Sequence, residues 1–323
     1  MQRHHGTSPR AANGLTRGAW PNMGFDNNPR ETKRMTQTTT QPPANGPQGA
    51  PKAAKEEENF FVFLLKLVLI VLIFRSFILS PFNIPSESML PRLVVGDYLL
   101  AAKWPYGYSR YSLPLSLPLI PNRILAHQPA RGDVVIFKAP PLNQDDWIKR
   151  VIGLPGDTIQ MRGGVLHING VAVPKTRIED FEIAVSPNTQ CYKPRGFGST
   201  INYEVTKPDG AKVCRYPQFR ETLPAENGQP GKSYNVLDLE TTDQDNTVPY
   251  IVPEGTVFLM GDDRDNSQDS RFSTDVGGIG YVPQGNLVGR ATLMMWSTDG
   301  SANWFLPWTW FSAARWSRIG GTF

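Results

Sequence analysis

In DDWIKRVIGLPGD, residues 145–157, good strand formers surround two adjacent cations. Trp147, Ile148, Val151 and Ile152 favour extended backbone. Side chains alternate faces along a strand, so Lys149 and Arg150 point in opposite directions. Lys149 shares its face with Trp147 and Val151, and Arg150 shares the other with Ile148 and Ile152. A charged lysine among apolar side chains is costly unless it is paired or loses its proton. Such a strand needs two different environments, one for each cation.

Similar runs extend outward from it: DYLLAAKW, DVVIFKA, GVLHINGVAV, GTVFLMG and NLVGRATLMMW. Gly, Pro, Asp or Asn separates most of them, and HINGV carries an Asn-Gly hairpin signal. The 29 Gly and 29 Pro among 323 residues also favour short strands and turns over long helices. From residue 81 on no amphipathic helical stretch of convincing length appears. The expectation is an all-β domain over 81–173 and 251–300. The more polar stretch 174–250 lacks clear periodicity and reads as an irregular β-rich insertion.

Upstream, NFFVFLLKLVLIVLIFRSFILS, residues 59–80, is an apolar run of about 20 residues, long enough to cross a bilayer core. Lys66 and Arg75 lie towards its ends, where they can snorkel. The run sits far from the first residue, and no small-x-small site follows at the usual distance. It therefore reads as a retained transmembrane helix rather than a cleaved signal. Residues 1–58, rich in Pro, Gly, Asn, Thr and Gln, read as a disordered arm, with Met35 as an alternative start. The arm carries eight Lys and Arg, which places it on the cytoplasmic side and everything after Leu79 outside. In an oxidising compartment the two cysteines, Cys191 and Cys214, are open to forming a disulfide. No CxxC or Cys/His cluster suggests a metal. A formal charge of +4 with no basic, aromatic-laced stripe argues against nucleic-acid binding. The tail 301–323, rich in Trp and Arg, suits a membrane interface.

Chemistry concentrates in three segments. In FNIPSESMLP, Ser86 and Ser88 stand two apart between Pro85 and Pro91, which restrict the backbone. A serine needs a base to become a nucleophile. His4 and His5 lie in the arm, His127 in a Pro-rich connector and His167 in the hairpin, and none has a motif suggesting a triad. Lys149 is the alternative, because desolvation lowers a lysine's pKa towards neutrality. The third segment, MGDDRDNSQDSRF at 260–272, interleaves Asp with Arg264 and Arg271, arguing for internal ion pairs. It lacks the interior glycine and terminal Glu of a calcium loop.

Taken together, IPSESMLP, RGDVVIFKAP, DDWIKRVIGLPGD and MGDDRDNSQDSR resemble, in order, the conserved boxes of bacterial signal peptidase I. The resemblance implies a membrane-bound serine endopeptidase of the signal peptidase I and LexA-like β-fold. It would remove signal peptides from exported preproteins after small-x-small sites, at the extracytoplasmic face of the plasma membrane near the export translocon. Ser88 would be the nucleophile and Lys149 the general base, with Ser267 orienting the lysine. The Ser88 N–H and the Ser86 hydroxyl would hold the oxyanion, and Arg150, Asp262, Asp269 and Arg271 would form the supporting ion-pair network. Ile84, Met89, Leu93, Trp147 and Ile148 would line one substrate pocket; Phe82, Leu99, Ile136 and Asp146 would bound another. No cofactor is implied. Arg92, Trp147 and Asp263 depart from the residues usual in these boxes, and one span is found where the family often has two. Two other readings stay open: a LexA-like autoprotease, which the apolar run argues against, and an anchored β-rich binding domain.

Overall fold

The computed structural model describes residues 59–194, 201–226, 228, 230–303 and 305–323. The arm expected over 1–58, with Met35, lies outside the described residues. The apolar run forms one helix, Phe60–Phe77, capped by the Asn59 side chain, which accepts from the Phe61 N–H. Only Ser76 of the helix is buried, as expected of a segment whose partner is lipid rather than protein. At 1.5 Å per residue it is about 27 Å long, close to the thickness of a bilayer core. The helix is shorter than the expected span of 59–80. Leu79 already faces Ala102 in an antiparallel ladder, so the last residues of that span are strand Leu79–Asn83.

The runs read from sequence become the main sheet. In spatial order its strands are Leu79–Asn83, Asp97–Ala102, Leu287–Ser297, Val134–Lys138, Asp146–Gly153, Thr256–Met260 and Val282–Pro283. Every pairing in it is antiparallel. The DDWIKRVIG strand lies inside this sheet, with Val135 opposite Lys149, and with Val134 and Met260 flanking Arg150. A second sheet holds Tyr250–Ile251, Thr158–Arg162, Val165–Ile168 and Val171–Ala172. Its hairpin turns at Asn169 and Gly170, which have φ of 52° and 80°, the left-handed pair that Asn-Gly accepts most readily.

Segment 174–250 is more regular than its sequence suggests. It builds a third sheet around the long strands Lys175–Ala184 and Lys212–Thr222, joined by Ser233–Leu237 and Glu204–Thr206. Two features hide this in the sequence. Lys175–Ala184 is exposed or half-buried along its whole length, which weakens the apolar alternation. Pro217 interrupts Lys212–Thr222, where the register shifts between Tyr216 and Gln218, a bulge being the place a strand tolerates proline. The segment also shares its core with the outer segments. Leu223, Tyr234 and Val236 pack with Ile152, Met161 and Phe258 of the outer segments, and Tyr216, Leu237 and Leu239 pack with Leu90 and Val94. Cys191 and Cys214 are joined as a disulfide.

Candidate active site

Ser88 sits in the turn between the first two strands of the main sheet. Met89 and Leu93 anchor this turn in the core, both fully buried. Its ends are tied by Ile84 N–H to Asp97 O at 2.8 Å and Val94 N–H to Asp97 Oδ2 at 2.8 Å. The Ser88 carbonyl accepts from the Asp263 N–H at 3.2 Å, which docks the turn on the acidic segment. Gly261 makes this approach feasible: a Cβ there would lie 2.5 Å from Ser88 O and 2.3 Å from Ser267 Oγ.

Lys149 Nζ donates to Ser88 Oγ at 2.7 Å and to Ile148 O at 3.1 Å. It lies 5.4 Å from the Trp147 ring centroid and is 3% exposed. Burial pushes the ammonium down to about 8, while the carboxylates of Asp269 and Asp262 partly oppose the shift. Burial alone does not single out this lysine, because it brings Lys103 to about 8 as well. Lys103 lies over the Phe82 ring, however, with its Nζ 5.8 Å from the centroid, and among the described residues no serine hydroxyl bonds to it. Geometry distinguishes the two lysines.

The opposite face of the same strand holds an ion-pair network. The Arg150 guanidinium grips Asp262 through Nε–Oδ1 at 2.7 Å and Nη2–Oδ2 at 2.5 Å, and donates from Nη1 to Gly132 O at 2.9 Å. Arg271 grips Asp269 through Nε and Nη2, both at 2.9 Å. Burial opposes ionisation of Asp269, yet Arg271 holds its carboxyl below the usual range. The network also contains a pair that the sequence reading did not assemble: Arg264 with Glu221, at 2.7 and 2.6 Å. Tyr234 donates to Glu221 at 3.0 Å and stacks on Arg150, 4.1 Å from ring centroid to Cζ. Arg264 was legible as a partner in some ion pair. Glu221 and Tyr234 belong to segment 174–250, and only the strand pairing brings them here.

Ser88 and Lys149 open into a cleft of roughly 600 Å³. Of the residues assigned to the two pockets, Phe82, Ile84, Ile136, Asp146, Trp147 and Ile148 line it, joined by Asn266, Gln268 and Phe272. Met89, Leu93 and Leu99 do not reach it; all three are wholly buried in the core, because their side chains anchor the Ser88 turn and the second strand. Ser86 Oγ lies 3.4 Å from Ser88 Oγ. Ser267 lines the cleft but makes no hydrogen bond to Lys149, and its buried Oγ has no partner among the described residues. The expected orienting bond is therefore absent from this structure, in which Lys149 Nζ donates to Ser88 Oγ and Ile148 O instead.

Residues 58–296 match the family described as signal peptidase, peptidase S26. The signal peptidase I of Rickettsia conorii (strain ATCC VR-613 / Malish 7) is 35% identical over 253 residues, covering 76% of this chain and 81% of that one. The signal peptidase I of Rickettsia typhi (strain ATCC VR-144 / Wilmington) is 34% identical over 283 residues, covering 83% and 93%. Among solved structures, a signal peptidase I from Enterococcus faecalis V583 aligns at 24% identity with a TM-score of 0.24, covering 51% of this chain and 97% of its own.

Proposed function

The chain belongs to the signal peptidase family, peptidase S26, and we propose that it cuts preproteins with Ser88 as nucleophile and Lys149 as its base. It is a membrane-bound serine peptidase acting on chains that carry signal peptides. The observation that carries the dyad is the 2.7 Å contact between Ser88 Oγ and a lysine that burial pushes down to about 8. Near that pH a substantial fraction of Lys149 is neutral and accepts the Ser88 proton as Oγ attacks the scissile carbonyl. The resulting ammonium returns the proton to the departing amine as the C–N bond breaks. Lys149 then takes a proton from the water that attacks the Ser88 ester, and returns it to Ser88 Oγ as the acyl C–O bond breaks.

The Ser88 N–H and the Ser86 hydroxyl are assigned to the developing oxyanion. Ser267 is assigned to hold Lys149 once Ser88 is acylated, a role its unpartnered hydroxyl in the same cleft is suited to. The ion pairs Arg150–Asp262 and Arg271–Asp269 keep the segment that carries Ser267 in place. The apolar lining Phe82, Ile84, Ile136, Trp147 and Ile148 takes the small side chains before the cut, with Asp146 at its rim. The autoprotease and binding-domain readings have no comparable support.

The positive-inside bias of 1–58 supports a cytoplasmic arm and an extracytoplasmic site facing the export translocon. Lipid contact beyond the helix is supported by Phe305, Trp308 and Phe311, which are exposed in the tail, and by Leu115 and Leu119. The loop carrying those leucines is tied to the end of the helix, because Tyr108 donates to Phe77 O at 3.0 Å. In sealed vesicles, external protease should remove either the arm or the β domain but not both. Digestion of the arm alone in right-side-out vesicles contradicts the orientation.

The central test compares native chain, Ser88→Ala and Lys149→Met on a preprotein in detergent. The native chain should cleave after a small residue, and each variant should lose about 10³-fold or more in kcat/KM. Cleavage by either variant at the native rate sinks the dyad.

A further inference from the structure

Ser88 stands between two depressions. On one side is the apolar cleft. On the other is a recess of roughly 430 Å³ lined by Pro85, Ser86, Glu87, Ser88, Val95, Pro187, Asn188, Gln190 and Asn266. The two share Pro85, Ser86, Ser88 and Asn266, so a peptide attacked at Ser88 passes from one into the other. The apolar cleft accepts the acyl side, which leaves the recess for the residues after the cut.

The outer wall of this recess comes from segment 174–250, through the turn Ser186–Gln190. That turn is closed by reciprocal bonds between Ser186 and Thr189 at 3.0 and 2.9 Å. It is pinned to the strand end opposite by Asn188 N–H to Asp299 O at 3.0 Å and Asn188 Nδ2 to Thr298 O at 3.1 Å. Gly96 and Gly300 leave the space that Asn188 fills, for a Cβ at either would fall within 2.5 Å of its amide. Arg315 donates to Thr189 Oγ1 at 3.0 Å, and the Cys191–Cys214 disulfide begins one residue after Gln190. The wall is built and braced.

Within this lining Glu87 is the one ionisable side chain. Its carboxylate accepts from Asn266 Nδ2 at 3.3 Å, a long contact that leaves most of its acceptor capacity open. Burial also raises its pKa, the mark of a carboxylate short of favourable partners.

We infer that this recess is the subsite for the first residues of the mature chain, walled by the Ser186–Gln190 turn and reading charge through Glu87. It favours a lysine or arginine side chain just after the cut and disfavours an acidic one. The inference rests on Ser88 being the nucleophile. It also assigns segment 174–250 a task, which is to wall the leaving-group side of the site.

The test uses two preproteins differing only in the residue after the cut, Lys or Glu, with the full chain in detergent. The ratio of their kcat/KM values is the readout, so a general loss of activity does not disturb it. The native ratio should favour Lys about fivefold or more at low salt and fall as salt screens the carboxylate. Glu87→Gln should bring it below about twofold, and Gln190→Glu, which adds a second carboxylate to the wall, should raise it above the native value. Native, Glu87→Gln and Gln190→Glu ratios that all agree overturn the subsite. Ser88→Ala, run beside them, separates the two failures: loss of both substrates with an unmoved Glu87→Gln ratio overturns the subsite alone. Retention of both substrates overturns the dyad and the subsite with it.

Discussion

Lys149 and Arg150 are consecutive residues of one strand, both almost fully buried, yet their surroundings are opposite. Arg150 meets a carboxylate in a bidentate grip. Lys149 meets a hydroxyl, a carbonyl and the Trp147 ring, and among the described residues no carboxylate lies in contact with it. The paired cation is structural and stays charged, whereas the cation with only neutral contacts is pushed to give up its proton. What separates a base from a brace here is the presence of a counter-charge within hydrogen-bond reach, not burial.

The largest effect should follow from breaking the paired side. Asp262→Ala would strand the Arg150 guanidinium in the interior, and an uncompensated buried charge costs about 3–5 kcal/mol. Chemical denaturation should show a loss of that size, and a loss below about 1 kcal/mol would mean that water or another acceptor already serves Arg150. The same reasoning applies to Glu221→Ala, through Arg264.

Removing the unpaired cation should act in the opposite direction. Lys149→Met replaces a desolvated amine with an apolar chain of similar length. A shift from 10.5 to about 8 corresponds to about 3 kcal/mol, and the lost Ser88 hydrogen bond reduces the gain to about 2 kcal/mol. The sign follows from linkage: below the folded value the native chain carries the full penalty of burying a charge, whereas the unfolded lysine stays protonated up to its ordinary pKa. The variant should therefore be the more stable at pH 7. Its advantage should fade as pH rises from about 8 to above 10.5. A variant less stable than the native chain at pH 7 would show Lys149 to be well accommodated as a cation.

The smallest effect concerns the pH profile. Cleavage should rise with pH through a midpoint near 8 as Lys149 loses its proton. Burial raises the Asp263 carboxyl well above its usual range. Its charged form holds the Lys149 pKa up, so Asp263→Asn should shift the midpoint to lower pH. An unmoved midpoint would show that Asp263 carries no charge where Lys149 titrates.

Short runs of strand formers bounded by turn residues were enough for the main and second sheets. Each of the five runs quoted beside DDWIKRVIG contains such a strand, including Val134–Lys138 and Thr256–Met260, which are buried on both faces and show no alternation. The signal failed in 174–250, where Lys175–Ala184 has little buried face and Pro217 breaks its neighbour at a bulge. Of the candidate site, Lys149, Arg150 and the Asp/Arg-rich loop were legible because each sets a costly group against its local pattern, whereas Ser88 was told apart from Ser86 only by the family resemblance. Met89, Leu93 and Leu99 were misplaced from the sequence because an apolar residue beside a site reads alike whether it lines the cleft or supports it from beneath.

The sequence by itself determined that an apolar helix precedes a β domain, and that two adjacent cations occupy opposite faces of one strand. Both follow from local rules: segment length against bilayer thickness, and the period-two alternation of a strand. Only the tertiary structure decided which cation meets a carboxylate, because Ser88, Asp262 and Glu221 come from distant parts of the chain. It likewise placed Pro187, Asn188 and Gln190 of segment 174–250 in a recess beside Ser88. Pairing between strands far apart in sequence is set by the register of whole sheets, and no local window contains it.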